Sequence, residues 1–111
     1  MFRYRNNPIT FDNDLILIGK REEAKDDYGN PIYSEPKRRQ VFCNERSIGY
    51  QEFYRAGTEG LRPQYTLTIH DFEYENEKQV EYKGQVYEVL RTYRPDAGLL
   101  ELTVGEKIGS I

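Results

Sequence analysis

The sequence predicts a mainly β protein: a small antiparallel β-barrel of about six strands, with one short α-helix and a long charged loop. Three observations predict it. Short apolar stretches are separated by Gly, Pro, Asn and Asp at intervals of about 8–12 residues, the spacing of a small barrel or sandwich. A Lys83-Gly84 pair sits between two alternating runs, as a two-residue hairpin loop would. One segment alone carries apolar residues at helical spacing: Tyr50, Phe53 and Tyr54 fall at i, i+3 and i+4.

The elements follow in order. Residues 1–13 are polar, with Asn6-Asn7-Pro8 and Asp12-Asn13 as turn formers, and read as an arm outside the core. Asp14–Arg21 is the first strand, and its run Leu15–Ile18 argues for burial on both faces or for an edge covered by something else. Residues 22–36 read as a charged loop around Asp27-Tyr28-Gly29-Asn30-Pro31. Lys37–Ile48 is the second strand, and residues 49–57 are the helix, too short to persist without tertiary packing. Gly57 and Gly60 suit a helix end and a sharp turn, and Pro63 forbids further helix. Strands follow at Gln64–Phe72, Lys78–Tyr82 and Gln85–Arg94. Pro95-Asp96-Ala97-Gly98 then turns the chain into a last strand, Leu99–Val104. Residues 105–111 read as a tail. The expected organisation is thus an arm (1–13), one barrel domain (14–104) and a tail (105–111).

A chain of 111 residues is one domain by size. Ten Tyr and five Phe, with no Trp and one Met, mean that aromatic rings carry much of the burial, and most tyrosines are expected as core or half-buried strand residues, not as the interface anchors such domains often use. A net charge of −3 lacks the basic footprint of a general nucleic-acid binder. Charge is uneven, with a basic run Lys37-Arg38-Arg39 and an acidic stretch Asp71–Glu81, read as solvated edges and turns or, more sharply, as electrostatic complementarity between neighbouring subunits. Cys43 stands alone, so a reducing, cytoplasmic setting is expected. No apolar run approaches a bilayer span, and Met1–Arg5 lacks the apolar region of a secretory signal.

Catalytic chemistry is not legible. One His and one Cys cannot close a zinc site or complete a triad, and a Cys43–His70 dyad would need both strands to bring them together. The carboxylates near Asp71–Glu81 lie in the most polar part of the chain, unlike a raised-pKa acid. Asp12, Asn13 and Asp14 do not continue into a calcium loop, and no Gly-rich loop opens a helix to cradle phosphate. The expectation is a protein that is not an enzyme and has no cofactor and no metal.

Three stretches carry a family resemblance: EFYRAGTEGLRPQY (52–65), IHDFEYENEK (69–78) and VEYKGQVYEVLRTY (80–93). Together they resemble the head-tail joining (head closure, or stopper) proteins of tailed bacteriophages, across roughly residues 14–104. In that family a strand leads into a helix with an E-F/Y-Y pattern, a Gly-rich exit and a strand. A Y-x-G-x-x-Y hairpin follows, matched by Tyr82, Gly84 and Tyr87. The resemblance implies a barrel that assembles with itself into a ring in the virion neck, made in the host bacterial cytoplasm. The ring docks beneath the portal–adaptor complex after packaging, closes the DNA exit and presents the tail attachment surface. Implied partners are the portal and adaptor, a tail completion or tail-terminator protein, and packaged double-stranded DNA by steric contact, with no membrane.

The segment matching residues 47–63 is implied to face the channel and to rearrange on assembly. Its candidates are Ser47, Tyr50, Glu52, Phe53, Tyr54, Arg55, Gly57, Gly60 and Arg62. A competing reading has Phe53 and Tyr54 plug the barrel end. Length and charge alone nominate the 22–36 loop and its flank as a subunit or adaptor contact: Glu22, Asp26, Asp27, Tyr28, Lys37, Arg38 and Arg39. Two alternatives stand beside head closure. One is an OB-like single-stranded nucleic-acid module, stacking bases on Tyr87, Arg91 and Tyr93 with Tyr82 across the hairpin. The other is a joining protein further down the tail.

Overall fold

In chain order the strands are β1 (Arg3–Tyr4), β2 (Asn7–Pro8), β3 (Asn13–Ile18), β4 (Glu23–Lys25), β5 (Pro31–Tyr33) and β6 (Arg38–Arg46). The helix α1 (Tyr50–Thr58) leads to β7 (Leu61–His70), a short 3-10 turn (Asp71–Glu73), β8 (Gln79–Tyr82), β9 (Gln85–Tyr93) and β10 (Leu99–Lys107). These come from a computed structural model that describes residues 3–4, 7–20, 23–33 and 35–107. The predicted barrel is present. Six strands close in the order β10-β7-β6-β3-β8-β9, with every neighbouring pair antiparallel.

Alternation explains the closure. Leu15, Leu17, Val41, Cys43, Leu67, Val80, Leu102 and Val104 point inward from their strands and form one core cluster. Tyr65, Tyr82 and Tyr87 fill one end as two edge-to-face pairs, with centroids 5.0 and 5.7 Å apart. Lys83 lies over the first pair, 5.4 Å from the Tyr65 ring centre. Tyr74 packs against the core as well, and its hydroxyl donates to the Glu77 carbonyl at 2.6 Å. The Lys83-Gly84 hairpin forms as expected, both residues having positive φ (51° and 81°), the backbone a two-residue loop requires.

Several boundaries move. The first strand is Asn13–Ile18, and its predicted end at Arg21 lies outside the described residues. Ile16 is only half-buried, because β3 turns its outer face partly to solvent. The second strand spans Arg38–Arg46, and the third starts earlier, at Leu61, and ends at His70. Pro63 is tolerated inside β7 because it sits at a bulge: Val104 pairs with Tyr65, but Gly105 pairs with Pro63. A Cβ on Gly105 would lie 2.1 Å from the Arg62 carbonyl oxygen. The predicted tail therefore begins too early. Gly105–Lys107 belong to β10, and the glycine is a point of close backbone approach, not a breaker.

The predicted long loop is a hairpin instead. β4 pairs with β5 (Glu23↔Tyr33, Lys25↔Pro31), and the ribbon issues from between β3 and β6. It stands apart from the barrel as an arm, and the chain's longest extent is 59 Å. The radius of gyration of 16.4 Å exceeds the about 13 Å of a compact chain this long.

Candidate functional site

Two surface features stand out from the barrel: the helix and the arm. Helix α1 starts at Gly49, whose carbonyl accepts the Phe53 N–H at 2.9 Å, with no side-chain cap. It ends at Gly60, which takes the left-handed conformation (φ 75°) that terminates helices. The helix lies across the outside of the barrel, and Ala56 is its buried residue. Below it, Ala56, Leu61, Pro63 and Leu90 line a narrow seam. The other attachments are polar: Thr103 Oγ1 donates to Glu52 Oε1 at 3.4 Å, and Glu59 pairs with Arg91 at 3.5 Å.

The aromatic stripe therefore faces solvent. Tyr50 is 83% exposed, Phe53 50% and Tyr54 69%. The spacing correctly puts the three on one face, but the idea that Phe53 and Tyr54 plug the barrel end is overturned. Tyr65, Tyr82 and Tyr87 already fill that end. Of the other nominated residues, Ser47, Arg55, Gly57 and Arg62 are exposed, and Gly60 forms the exit turn. Glu52 is a correction: it faces the barrel and Thr103, not the open surface.

The arm ends in a locked turn. Asp26 accepts the backbone N–H of Tyr28 at 2.9 Å and of Asn30 at 2.8 Å, and Gly29 takes φ 80°. The Asn30 hydrogen bond is the main reason the Asp26 carboxyl is held below its ordinary range. Tyr28 is 90% exposed and Asp27 is exposed beside it. Glu22 lies outside the described residues. Arg38 and Arg39, on the flank of the loop, stand in β6, where partners of their own chain engage them. Arg38 bonds Glu81 at 2.5 Å, and Arg39 bonds Glu77 at 2.5 Å and the Glu73 carbonyl at 2.7 Å. Lys37 remains exposed at the arm's base.

The acidic stretch is only partly solvated, because Glu77 is buried. Burial alone would raise its carboxyl. The hydrogen bond from Arg39, the Glu75 N–H at 2.7 Å and the Arg39 charge outweigh burial and hold it below the ordinary range. At the opposite end of the barrel, Tyr82 donates to Glu45 at 2.5 Å and accepts from Asn13 at 2.6 Å. That bond from Tyr82, helped by Lys83 at 3.0 Å, depresses the Glu45 carboxyl.

The Cys43–His70 dyad does not exist. Cys43 points into the core, where burial and the nearby carboxylates push its thiol up to about 12. His70 stacks outside between Phe11 and Phe72, at 4.3 and 5.6 Å. The stacking surface for single strands is also taken apart. Thr103 pairs with Arg91 but Val104 with Val89, so a bulge at Leu90 reverses the alternation of β9. Tyr87 turns to the core while Tyr93 is exposed, and Tyr82 is buried. Half of the tyrosines with described side chains (Tyr65, Tyr74, Tyr82, Tyr87) pack on the core, fewer than expected. Among the described residues, no group of three or more His, Cys, Asp or Glu is placed to hold a metal ion. No helix among them is long and apolar enough to cross a membrane. In comparison with known proteins, no family model and no curated protein matches this chain.

Proposed function

We propose that the chain is a structural subunit of a phage head-tail connector, a head completion protein that acts as part of a ring and has no catalytic role. The observation that carries the reading is the orientation of α1. A helix laid on a barrel through one alanine and two polar contacts, with three aromatic rings outward, is organised to meet another surface. The projecting arm supports it, giving the subunit a second protrusion distant from its core. The resemblance of residues 52–65 and of the Tyr82, Gly84, Tyr87 hairpin adds where such a ring would sit: at the virion neck, below portal and adaptor, closing the DNA exit and receiving the tail. In this role residues 47–63 form the channel-facing element, with contact to packaged DNA steric, since the exposed Arg55 and Arg62 are too few for a phosphate-binding patch and Arg62 already lies 4.0 Å from Glu106.

The test uses DNA-filled, tail-less heads of the phage that encodes the chain. Added protein is expected to bind them, to stop DNA leakage and to restore tail attachment. Binding to tail tubes and not to heads would move the subunit down the tail. Binding to neither, together with salt-sensitive binding to single strands, would overturn the connector reading.

A further inference from the structure

We propose that the turn at the end of the β4–β5 arm of one copy docks on helix α1 of a second copy. Tyr28 enters the hollow beside Tyr50 and Tyr54, and Asp27 faces Arg55. This deepens the ring-subunit reading and rests on it: the docked turn would cover Tyr50, Tyr54 and Arg55, so the channel lining falls to the rest of residues 47–63. The hollow is a shallow surface depression of about 400 Å³ lined by Tyr50, Gln51, Tyr54, Arg55 and Thr58, room for one aromatic ring. Arg55 has no ion pair among the described residues, and neither has Asp27. Asp26 is spent on the turn itself, so the free carboxylate at the tip is Asp27.

The two halves suit each other chemically. An exposed tyrosine on a turn already fixed by hydrogen bonds loses little conformational freedom on docking, which is what an anchor residue requires. The receiving face supplies two tyrosine rings and a cation that can stack on the incoming ring as well as meet Asp27. Both halves stand exposed in the same chain, so neither covers the other within one molecule. A second copy is the partner that always carries the complementary half. Because donor and acceptor are different surfaces, the contact is head-to-tail, and repetition about an axis closes a ring.

The experiment exchanges the charges. Full-length native chain, Asp27→Arg, Arg55→Glu, the double variant and an equimolar mixture of the two single variants are compared by sedimentation equilibrium, with melting curves to certify folding. Each single variant is expected to associate about tenfold or more weakly than the native chain, since like charges then face each other. The mixture and the double variant are expected to recover association, because each arm again meets an opposite charge. Tyr28→Ala, remote from the barrel, is expected to lose association with an unchanged melting curve. Single variants that associate like the native chain would overturn the contact. So would folded mixtures that fail to recover, or a native chain that stays monomeric up to about 1 mM. A duplex oligonucleotide that displaces the association would reassign the Arg55 ledge to nucleic acid and also overturn it. Failure here is separable from failure of the connector reading. A chain that binds heads but ignores the charge exchange keeps the neck and loses this contact. One that obeys the exchange but ignores heads does the reverse.

Discussion

Phe53→Ala separates a surface role for α1 from a core role. Fully burying a phenylalanine side chain contributes about 1.5–3 kcal/mol, and half of that is about 1 kcal/mol. Phe53 is 50% exposed, so the smaller figure applies. Alanine also favours helix over phenylalanine by about 0.5 kcal/mol, which offsets part of the loss. The net expectation is a destabilisation of about 0.5 kcal/mol, read as the shift in a urea unfolding curve followed by far-UV circular dichroism. Leu102→Ala is the internal control. Leu102 is fully buried in the barrel, and its truncation should cost about 2–5 kcal/mol. With its fold intact, Phe53→Ala should nevertheless lose binding to tail-less heads. A cost above about 2 kcal/mol would mean the ring is buried in the free subunit, and the outward-facing helix would be refuted.

Gly105→Ala should cost about 3 kcal/mol or more, because the new methyl meets backbone atoms of Arg62 and Pro63 that cannot swing aside; a loss under about 1 kcal/mol in the same urea assay would deny the close approach. Gly57→Ala should raise stability by about 0.5–1 kcal/mol, since nothing lies within 4 Å of its Cβ and the position is helical; a lowered melting temperature would contradict that geometry. Glu77 should govern part of the acid limb. Its carboxyl titrates below the ordinary 4.5 in the folded chain, so the unfolded chain takes up the proton first as pH falls. Its stabilisation is thus complete above that value and is lost as pH drops beneath it. Glu77→Gln should melt lower at pH 7 and lose less on acidification than the native chain, and an acid limb identical to the native one would discount the Arg39–Glu77 pair.

Turn chemistry made much of the fold legible. Lys83-Gly84 and Pro95–Gly98 announce their turns through residue types that suit those dihedrals, and the strands between them alternate cleanly. What stayed hidden depends on partners distant in sequence. Three-residue strands at Glu23–Lys25 and Pro31–Tyr33 are too short for alternation to register, so a ribbon reads as a loop. Glycine reads as punctuation at 105, though its role there is to let two backbones meet. Leu90 carries no local mark of a bulge, yet that residue sends Tyr87 and Tyr93 to opposite faces. For the candidate site, periodicity grouped Tyr50, Phe53 and Tyr54 on one face, but periodicity does not say whether a face looks at its own barrel or away from it. Tyr65, Tyr82 and Tyr87 had already occupied the interior. Electrostatic pairing was equally hidden: nothing local to Glu77 reveals that Arg39, 38 positions earlier, neutralises it.

A barrel this small is a plugged cylinder. Aliphatic side chains fill its middle, three interlocked tyrosines stopper one mouth, and Tyr74 packs in as well. Nothing threads through a single copy. In the ring proposed above, any conduit would run between copies, its bore set by how many stand in the circle and by which outward residues lean into it. Substitutions within the cylinder would then alter whether the subunit survives. If the chain is the ring subunit proposed above, substitutions on α1 and the arm would instead alter the width and lining of the passage, and durability and aperture would be set by separate residues.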